Sequence, residues 1–408
     1  MSNPKYWGNA LIVATACGAV ALAVVTLISL DPADADIKYD WISANAALTS
    51  DAYSGVLDLA RELDVSILVH AAPGASEPGA HPRTPGAILV SIPLLAFSFD
   101  QLFAVSTFLT VASGALIMAP LFRRASKTDR AALVLLSLVA APSFVALRFA
   151  GQAAVVAALT IFGWAMTSRK KGILGGILIG LAGVLKVFPL LLVIPLLLRR
   201  RYVPAAVTFF TVLLLNLGGL ALPGVGFEGA LSVLTEASVT WTGLLANGSL
   251  VKAAVEAGLH HGVAQIVVLV VLGALSGVLV KVHRSRALAD PLPWIVTSLL
   301  AIPLSWISYD VILLPALGSL LLSDDKRARI LGMAGWALWI APTLAYAFVI
   351  VESGVVSLAV RMFLLVAWWM SLLTWKSRGL SSTWVDGVSG PPERVETPGA
   401  LATGSIQP

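Results

Sequence analysis

Long apolar runs broken by short basic clusters fill the chain from residue 8 to residue 375. Several approach or exceed the ~20 residues that an α-helix needs to cross a bilayer. They do not alternate apolar and polar positions, which excludes the pattern of a membrane β-barrel. The pattern predicts an all-α, polytopic membrane protein, a single transmembrane domain over residues 1–376 followed by a polar tail, 377–408.

Six basic clusters punctuate the runs: Arg123-Arg124 with Lys127 and Arg130, Arg169-Lys170-Lys171, Arg199-Arg200-Arg201, Lys281 to Arg286, Lys326 to Arg329, and Lys376 with Arg378. Excess Lys and Arg mark cytoplasmic loops, so all six are placed inside, with the short N-terminus that carries Lys5. Two polar stretches, 31–83 and 223–262, then fall outside as the large first and fourth outer loops. The spans follow at about 8–30, 101–122, 131–149, 152–167, a two-span hairpin over 172–198 that turns near Lys186, then 203–222, 263–281, 292–308, 310–322, 330–350 and 354–375. That is about twelve transmembrane helices with both termini cytoplasmic. The segment Thr84 to Phe97 is apolar but short. It is expected as a kinked or re-entrant piece, which a membrane protein tolerates where the backbone packs on protein or lines a cavity.

Composition agrees. Charged residues are 12% and apolar residues 58%, with a mean hydropathy of +0.90, against roughly 25% and 45–50% in soluble domains. The first run, Ala10 to Leu30, is long for a signal-peptide core and leads to no clear cleavage site, so it is expected as an uncleaved span. The single cysteine, Cys17, allows no intrachain disulfide and no thiolate metal cluster. The net charge of +5 resides in the loop clusters, so nucleic acid is not an expected partner. The tail is rich in Ser, Gly, Pro and Glu and is expected to be disordered in the cytoplasm.

Against this apolar background, a few polar residues at span ends stand out. Four acids lie between residues 31 and 40, ending with Asp40 just beyond the first run. Asp40, His81, Arg83, Arg148, Gln152, Lys186, Asn247 and Asp310 all emerge on or near the outer face in this topology. Ionisable residues at membrane depth are rare and usually functional. Each also has a plainer reading. Asp40 fits a helix cap or a solvated loop. Lys186, between Leu185 and Val187, fits an interfacial anchor, although it lies opposite the basic clusters. His260-His261 reads as a solvated pair rather than a metal site. No P-loop, no Gly-rich dinucleotide fingerprint and no His-Glu-x-x-His motif occurs. One carboxylate with several cations suits a different chemistry. The cations hold a lipid-linked phosphate and stabilise it as it leaves, while the carboxylate takes a proton from an attacking hydroxyl.

The order of these motifs resembles the polyprenol-phosphate-dependent glycosyltransferases of family 87 in the GT-C superfamily, which include actinobacterial mannosyltransferases that extend phosphatidylinositol mannosides. The resemblance rests on an acid after span 1 (Asp40), the Pro-rich His81-Pro82-Arg83-Thr84-Pro85, Gly151-Gln152 opening a span, a Gly-rich helix ending in Lys186-Val187-Phe188-Pro189, Asn247-Gly248-Ser249, and Ser305-Trp306 followed by Pro315. The chain departs from the family pattern in two places: Ala154 stands where an Asn is common, and Ser308-Tyr309 where two His are common. The resemblance implies the GT-C glycosyltransferase fold, a polyprenyl-phosphate-linked sugar donor and an inverting transfer with Asp40 as general base.

The reading that follows is a plasma-membrane glycosyltransferase with its site on the outer face. It moves a hexose, mannose first, to a glycolipid or cell-envelope glycan acceptor. Lys186 with Arg83 or Arg148 holds the donor phosphate, and His81, Gln152, Asn247, Tyr309 and Asp310 contact substrate. No cofactor is expected; a divalent metal could sit among the acids, but the sequence does not require one. The alternatives are an arabinosyltransferase of the same fold, a transporter or flippase for a lipid-linked sugar, and a non-catalytic membrane partner in envelope assembly. A transporter usually places its charges near the midplane between repeats; here they gather toward one face, and no inverted repeat is visible.

Overall fold

The computed structural model describes residues 36–53, 58–59, 62, 83–148, 151–167, 171–231, 242, 247–323, 326–349 and 358–366. Among them every regular element is helical, and the one isolated β-bridge joins Asn247 to Trp306. The chain runs through α1 (Asp36–Thr49), α2 (Pro85–Ser91), α3 (Phe99–Arg124), α4 (Lys127–Val139), α5 (Ala141–Arg148), α6 (Ala153–Thr167) and α7 (Gly172–Leu185). It continues through α8 (Val193–Leu198), α9 (Tyr202–Leu220), α10 (Leu250–Glu256), α11 (His261–Ala289), α12 (Leu292–Ala301), α13 (Leu314–Leu321), α14 (Lys326–Val349) and α15 (358–366). Three 3₁₀ turns interrupt the series at Ile92–Ala96, Phe188–Leu192 and Ile307–Leu313.

Three described segments are long and apolar enough to cross a membrane: Gln101–Arg123, Tyr202–Leu220 and His261–Val282. Their outward faces are greasy. Leu214 on α9 and Ile266 on α11 are 66% and 64% exposed, as expected where lipid rather than water covers the surface. The remaining apolar helices are shorter, and several expected spans are broken. The run at 131–149 divides at Ala140 into α4 and α5, because Pro142 is compatible with the first turn of a new helix but not with the interior of an old one. The run at 292–308 is helical only to Ala301, just before Pro303, and the run at 310–322 begins as a 3₁₀ turn. At 1.5 Å per residue, α12 and α13 reach only about 15 and 12 Å. The segment after Thr84 is kinked as expected, changing from α to 3₁₀ at Ile92-Pro93.

At the centre lies α7, gripped between α6 and α9. Its glycines permit the approach. A side chain at Gly175 would come within 2.7 Å of the Gly163 carbonyl on α6, and one at Gly176 within 2.6 Å of Pro204 O at the start of α9. Small residues at such spacing are how apolar helices pack in the absence of a hydrophobic drive between them. The short α2 lies across α9 and α1. Its first turn is tied to α9 by Gly86 N donating to Asn216 Oδ1 at 3.1 Å, which satisfies one of the N–H groups that a helix start leaves open.

Within the expected outer loop 31–83, residues 36–49 form a helix, α1, rather than irregular chain. Its apolar positions explain this. Tyr39, Ile42 and Ala46 make one buried cluster, Ile37 packs with Leu102, and Ala47 packs with Ala52, Ile88 and Val225. The C-terminal end is pinned by Gly224 N donating to Ala47 O at 2.8 Å and Ala52 N to Gly224 O at 2.9 Å. Span 1, Cys17, His81 and the tail lie outside the described residues.

Candidate active site

Burying α1 on several sides carries Asp40 inward. The carboxylate is 3% exposed, and both of its oxygens are engaged. Arg83 donates Nε–H to Oδ1 at 2.5 Å, and Gln152 donates Nε2–H to Oδ2 at 2.7 Å. Three segments 43 and 112 residues apart thus meet on one group. Each is delivered by a local device. Arg83 precedes Thr84, the N-cap of α2, whose Oγ1 accepts from Ala87 N at 3.1 Å. Pro85 at the first helical position has the fixed φ that a helix start needs. Gln152 lies just ahead of α6, with Val156 N donating to its carbonyl at 2.9 Å.

Thr84 also links this cluster to the turn after α7. Its Oγ1 donates to Val184 O at 3.1 Å, two residues before Lys186. Lys186 caps α7 in an extended conformation, half-buried, and its Nζ stands 5.4 Å from the centroid of the Tyr309 ring. That distance suits a cation–π contact. Phe188 stacks on the other partner of the pair: its ring centroid is 5.5 Å from that of Tyr309 at 29°. The Phe188 carbonyl in turn accepts from Ser298 Oγ on α12.

A second polar assembly holds the segment that bears Tyr309. Asn247 is 1% exposed and entirely engaged: Nδ2 donates to Thr242 O at 3.0 Å and Pro303 O at 2.6 Å, while Oδ1 accepts from Ser249 N and Ser305 N. Asp310, fully buried, accepts from Arg361 Nε at 2.7 Å. Arg361, also fully buried, donates from Nη1 to Gly248 O at 2.8 Å and Ser305 Oγ at 2.7 Å, and from Nη2 to Trp306 O at 3.0 Å. In this conformation Asn247 and Asp310 join chain segments to one another and do not line open space.

The structure therefore brings together Asp40, Arg83 and Gln152, and separately pairs Lys186 with Tyr309, the two groups being linked through Thr84 and Val184. The Arg148 side chain and His81 lie outside the described positions. Sequence reasoning missed Arg361. The signal was available, since an arginine in the apolar run Leu358-Ala359-Val360-Arg361-Met362-Phe363 is costly at membrane depth without a partner. Among the described residues no group of three or more His, Cys, Asp or Glu gathers as a metal ion would require. His261 Nε2 lies 3.1 Å from Thr242 Oγ1.

In chemical terms, a carboxylate presents about four lone-pair directions. Two are occupied here, so Asp40 is oriented and still has acceptor capacity for a hydroxyl. Lys186, two residues beyond Val184, offers a compact positive charge on an aromatic support.

No curated protein and no solved structure matches this chain. Glycosyltransferase family 87 matches residues 84–306, more than half of the 408-residue sequence, taking in Gln152, Lys186, Asn247 and Trp306. With its apolar helices and this family match over most of its central body, the chain is a membrane glycosyltransferase and belongs to glycosyltransferase family 87.

Proposed function

We propose that the enzyme transfers a hexose, mannose in the first instance, from a polyprenyl-phosphate sugar to a hydroxyl of a glycolipid or envelope glycan, with inversion at the anomeric carbon. The observation that carries this reading is the buried Asp40 carboxylate, oriented by Arg83 and Gln152 from two remote segments. Asp40 takes the proton of the acceptor hydroxyl as its oxygen bonds to C1 of the sugar. The bond from C1 to the phosphate oxygen breaks, and polyprenyl phosphate leaves with the electron pair. A general base in this position is worth about 10²–10⁴ in rate.

Lys186 stabilises the departing phosphate, and Tyr309 keeps its ammonium in place. Such electrostatic stabilisation is effective where water is excluded. Arg83 directs its Nε to Asp40, so its main role is to orient the base, and Gln152 shares that role. Asn247 and Asp310 act at one remove, by holding the loop of Tyr309. The count of about twelve spans takes α4 with α5 as one crossing, and α7 with α8 and α12 with the 307–321 segment as two hairpins of two short spans each. The site opens on the outer face of the plasma membrane, both termini being cytoplasmic, as the basic clusters predict.

The direct test uses the purified full chain in nanodiscs with synthetic polyprenyl-phosphate mannose and a phosphatidylinositol-based glycolipid. A new glycoside of opposite anomeric configuration and stoichiometric polyprenyl phosphate are expected. In liposomes, a labelled lipid-linked sugar that crosses the bilayer without forming a glycosidic bond would establish the transporter instead.

A further inference from the structure

We infer that Arg361 is a positioning residue for the transfer reaction: by bridging the 247–249 segment to the 305–310 turn, it fixes Tyr309 and through it the ammonium of Lys186. The inference rests on the preceding reading of Lys186 as the phosphate contact.

The geometry is specific. All three guanidinium nitrogens of Arg361 are engaged, and the partners lie on three separate stretches of chain: Gly248, Leu299 on α12, and the 305–310 turn through Ser305, Trp306 and Asp310. Asn247 reinforces the first junction, because Gly248 N donates to Ser305 O at 2.8 Å and Ser305 N to Asn247 Oδ1 at 3.0 Å. Asp310 directly follows Tyr309 in a 3₁₀ turn, so anchoring the Asp310 carboxylate sets the rotation of that turn and the face that Tyr309 presents. The Tyr309 ring then meets both Lys186 and Phe188. Arg361 is 0% exposed, so it touches no substrate and acts only through these neighbours. The planar fork of arginine suits this task; a lysine has one nitrogen and cannot reach three strands of backbone at once. The same contacts could be read as general stabilisation. Against this, three of the six donated bonds go to backbone carbonyls of irregular chain at 248, 305 and 306, and only one goes to an α-helix, at Leu299 O on α12, so they specify the path of that chain.

The test separates positioning from stability. A buried ion pair can be replaced by apolar residues of similar size without loss of stability. The double variant Arg361→Met/Asp310→Leu removes both buried charges together, so it is expected to fold, melting below wild type only by the cost of the carbonyls at Gly248 and Trp306 that lose their donor. Its donor KM should rise ~tenfold or more, as for the loss of a charge-assisted contact, with acceptor KM unchanged. Amide hydrogen exchange should accelerate at Gly248 and Ser305, while α6, α7 and α9 stay protected. Arg361→Lys should recover less than half of the lost affinity. Unchanged donor KM and unchanged exchange at 247–249 and 305–310 in a folded double variant would overturn the inference, as would a fall in kcat alone that follows the folded fraction. Lys186→Met is the control for the reading beneath it: if that variant keeps the wild-type donor KM, the phosphate role fails, while the exchange data and transfer rates of the Arg361 variants still decide the brace.

Discussion

Replacing Asp40 by Asn separates the base from the scaffold that holds it. The side chain keeps its shape. Its Oδ1 can still accept from Arg83 Nε, and a flipped Gln152 amide can accept from the new Nδ2, so neither of the two observed contacts must be lost. What is lost is the carboxylate charge, while the Arg83 guanidinium keeps its own. Charge-assisted hydrogen bonds contribute about 1.5–3 kcal/mol each, against about 0.5–1.5 for neutral ones, so a stability loss of roughly 1–3 kcal/mol is expected. The loss stays below the 3–5 kcal/mol typical when a buried partner is removed outright. The rate effect is larger. Without a proton acceptor, turnover should fall by about 10²–10⁴, equal to about 2.7–5.4 kcal/mol of barrier at 1.36 kcal/mol per tenfold. The assay is single-turnover transfer from polyprenyl-phosphate sugar by purified variant, with folding checked by melting. Donor KM should stay within a few-fold. A well-folded Asp40→Asn enzyme that turns over within fivefold of wild type would refute the role of Asp40 as base.

Lys186→Met should raise donor KM by ~tenfold to a hundredfold, the cost of one charge-assisted phosphate contact, measured by titrating the lipid donor at fixed acceptor; an unchanged value would remove Lys186 from the site. Gly219→Ala should destabilise by about 1–3 kcal/mol, because a methyl there collides with the carbonyl of Pro85 at the crossing of α2 and α9; the melting temperature and the transfer rate should fall together as Arg83 and Thr84 shift. Tyr53, beyond α1, has its phenol pushed up from 10.0 to about 12 by burial first and by the Asp51 carboxylate second. A raised folded value means that its contribution is complete below pH 10 and is lost as pH rises through about 12. Tyr53→Phe should therefore flatten the alkaline decline in stability, read from melting temperatures at pH 9 to 12.

The parts of this protein that were legible in the sequence are those set by composition and local chemistry. Apolar runs announced helices. The shortness of the apolar segment after Thr84 announced a kinked or re-entrant piece, and glycines marked the helix that ends at Lys186. Asp40 and Gln152 stood out because polar groups at span ends are costly. What sequence could not give was partnership. Nothing in the local pattern around Asp40 says that its ligands are Arg83 and Gln152, since that depends on how α1, α2 and α6 pack. Asp40 also lay in a stretch whose four acids suggested an exposed loop, whereas the apolar positions between them bury it as a helix. Arg361 escaped for the opposite reason: one charge within an apolar run is averaged away when spans are drawn by hydropathy. The broken helices at Ala140 and Ala301 were obscured in the same way, although Pro142 and Pro303 mark both.

The most direct measurement is a structure of the full chain in a nanodisc with a non-cleavable polyprenyl-phosphonate sugar and an acceptor bound. The account predicts the phosphonate against Lys186 beside Tyr309, with the acceptor hydroxyl within hydrogen-bonding reach of Asp40 and pointed at the anomeric carbon. A phosphonate bound elsewhere, with Asp40 still closed upon Arg83 and Gln152 and remote from both substrates, would contradict it.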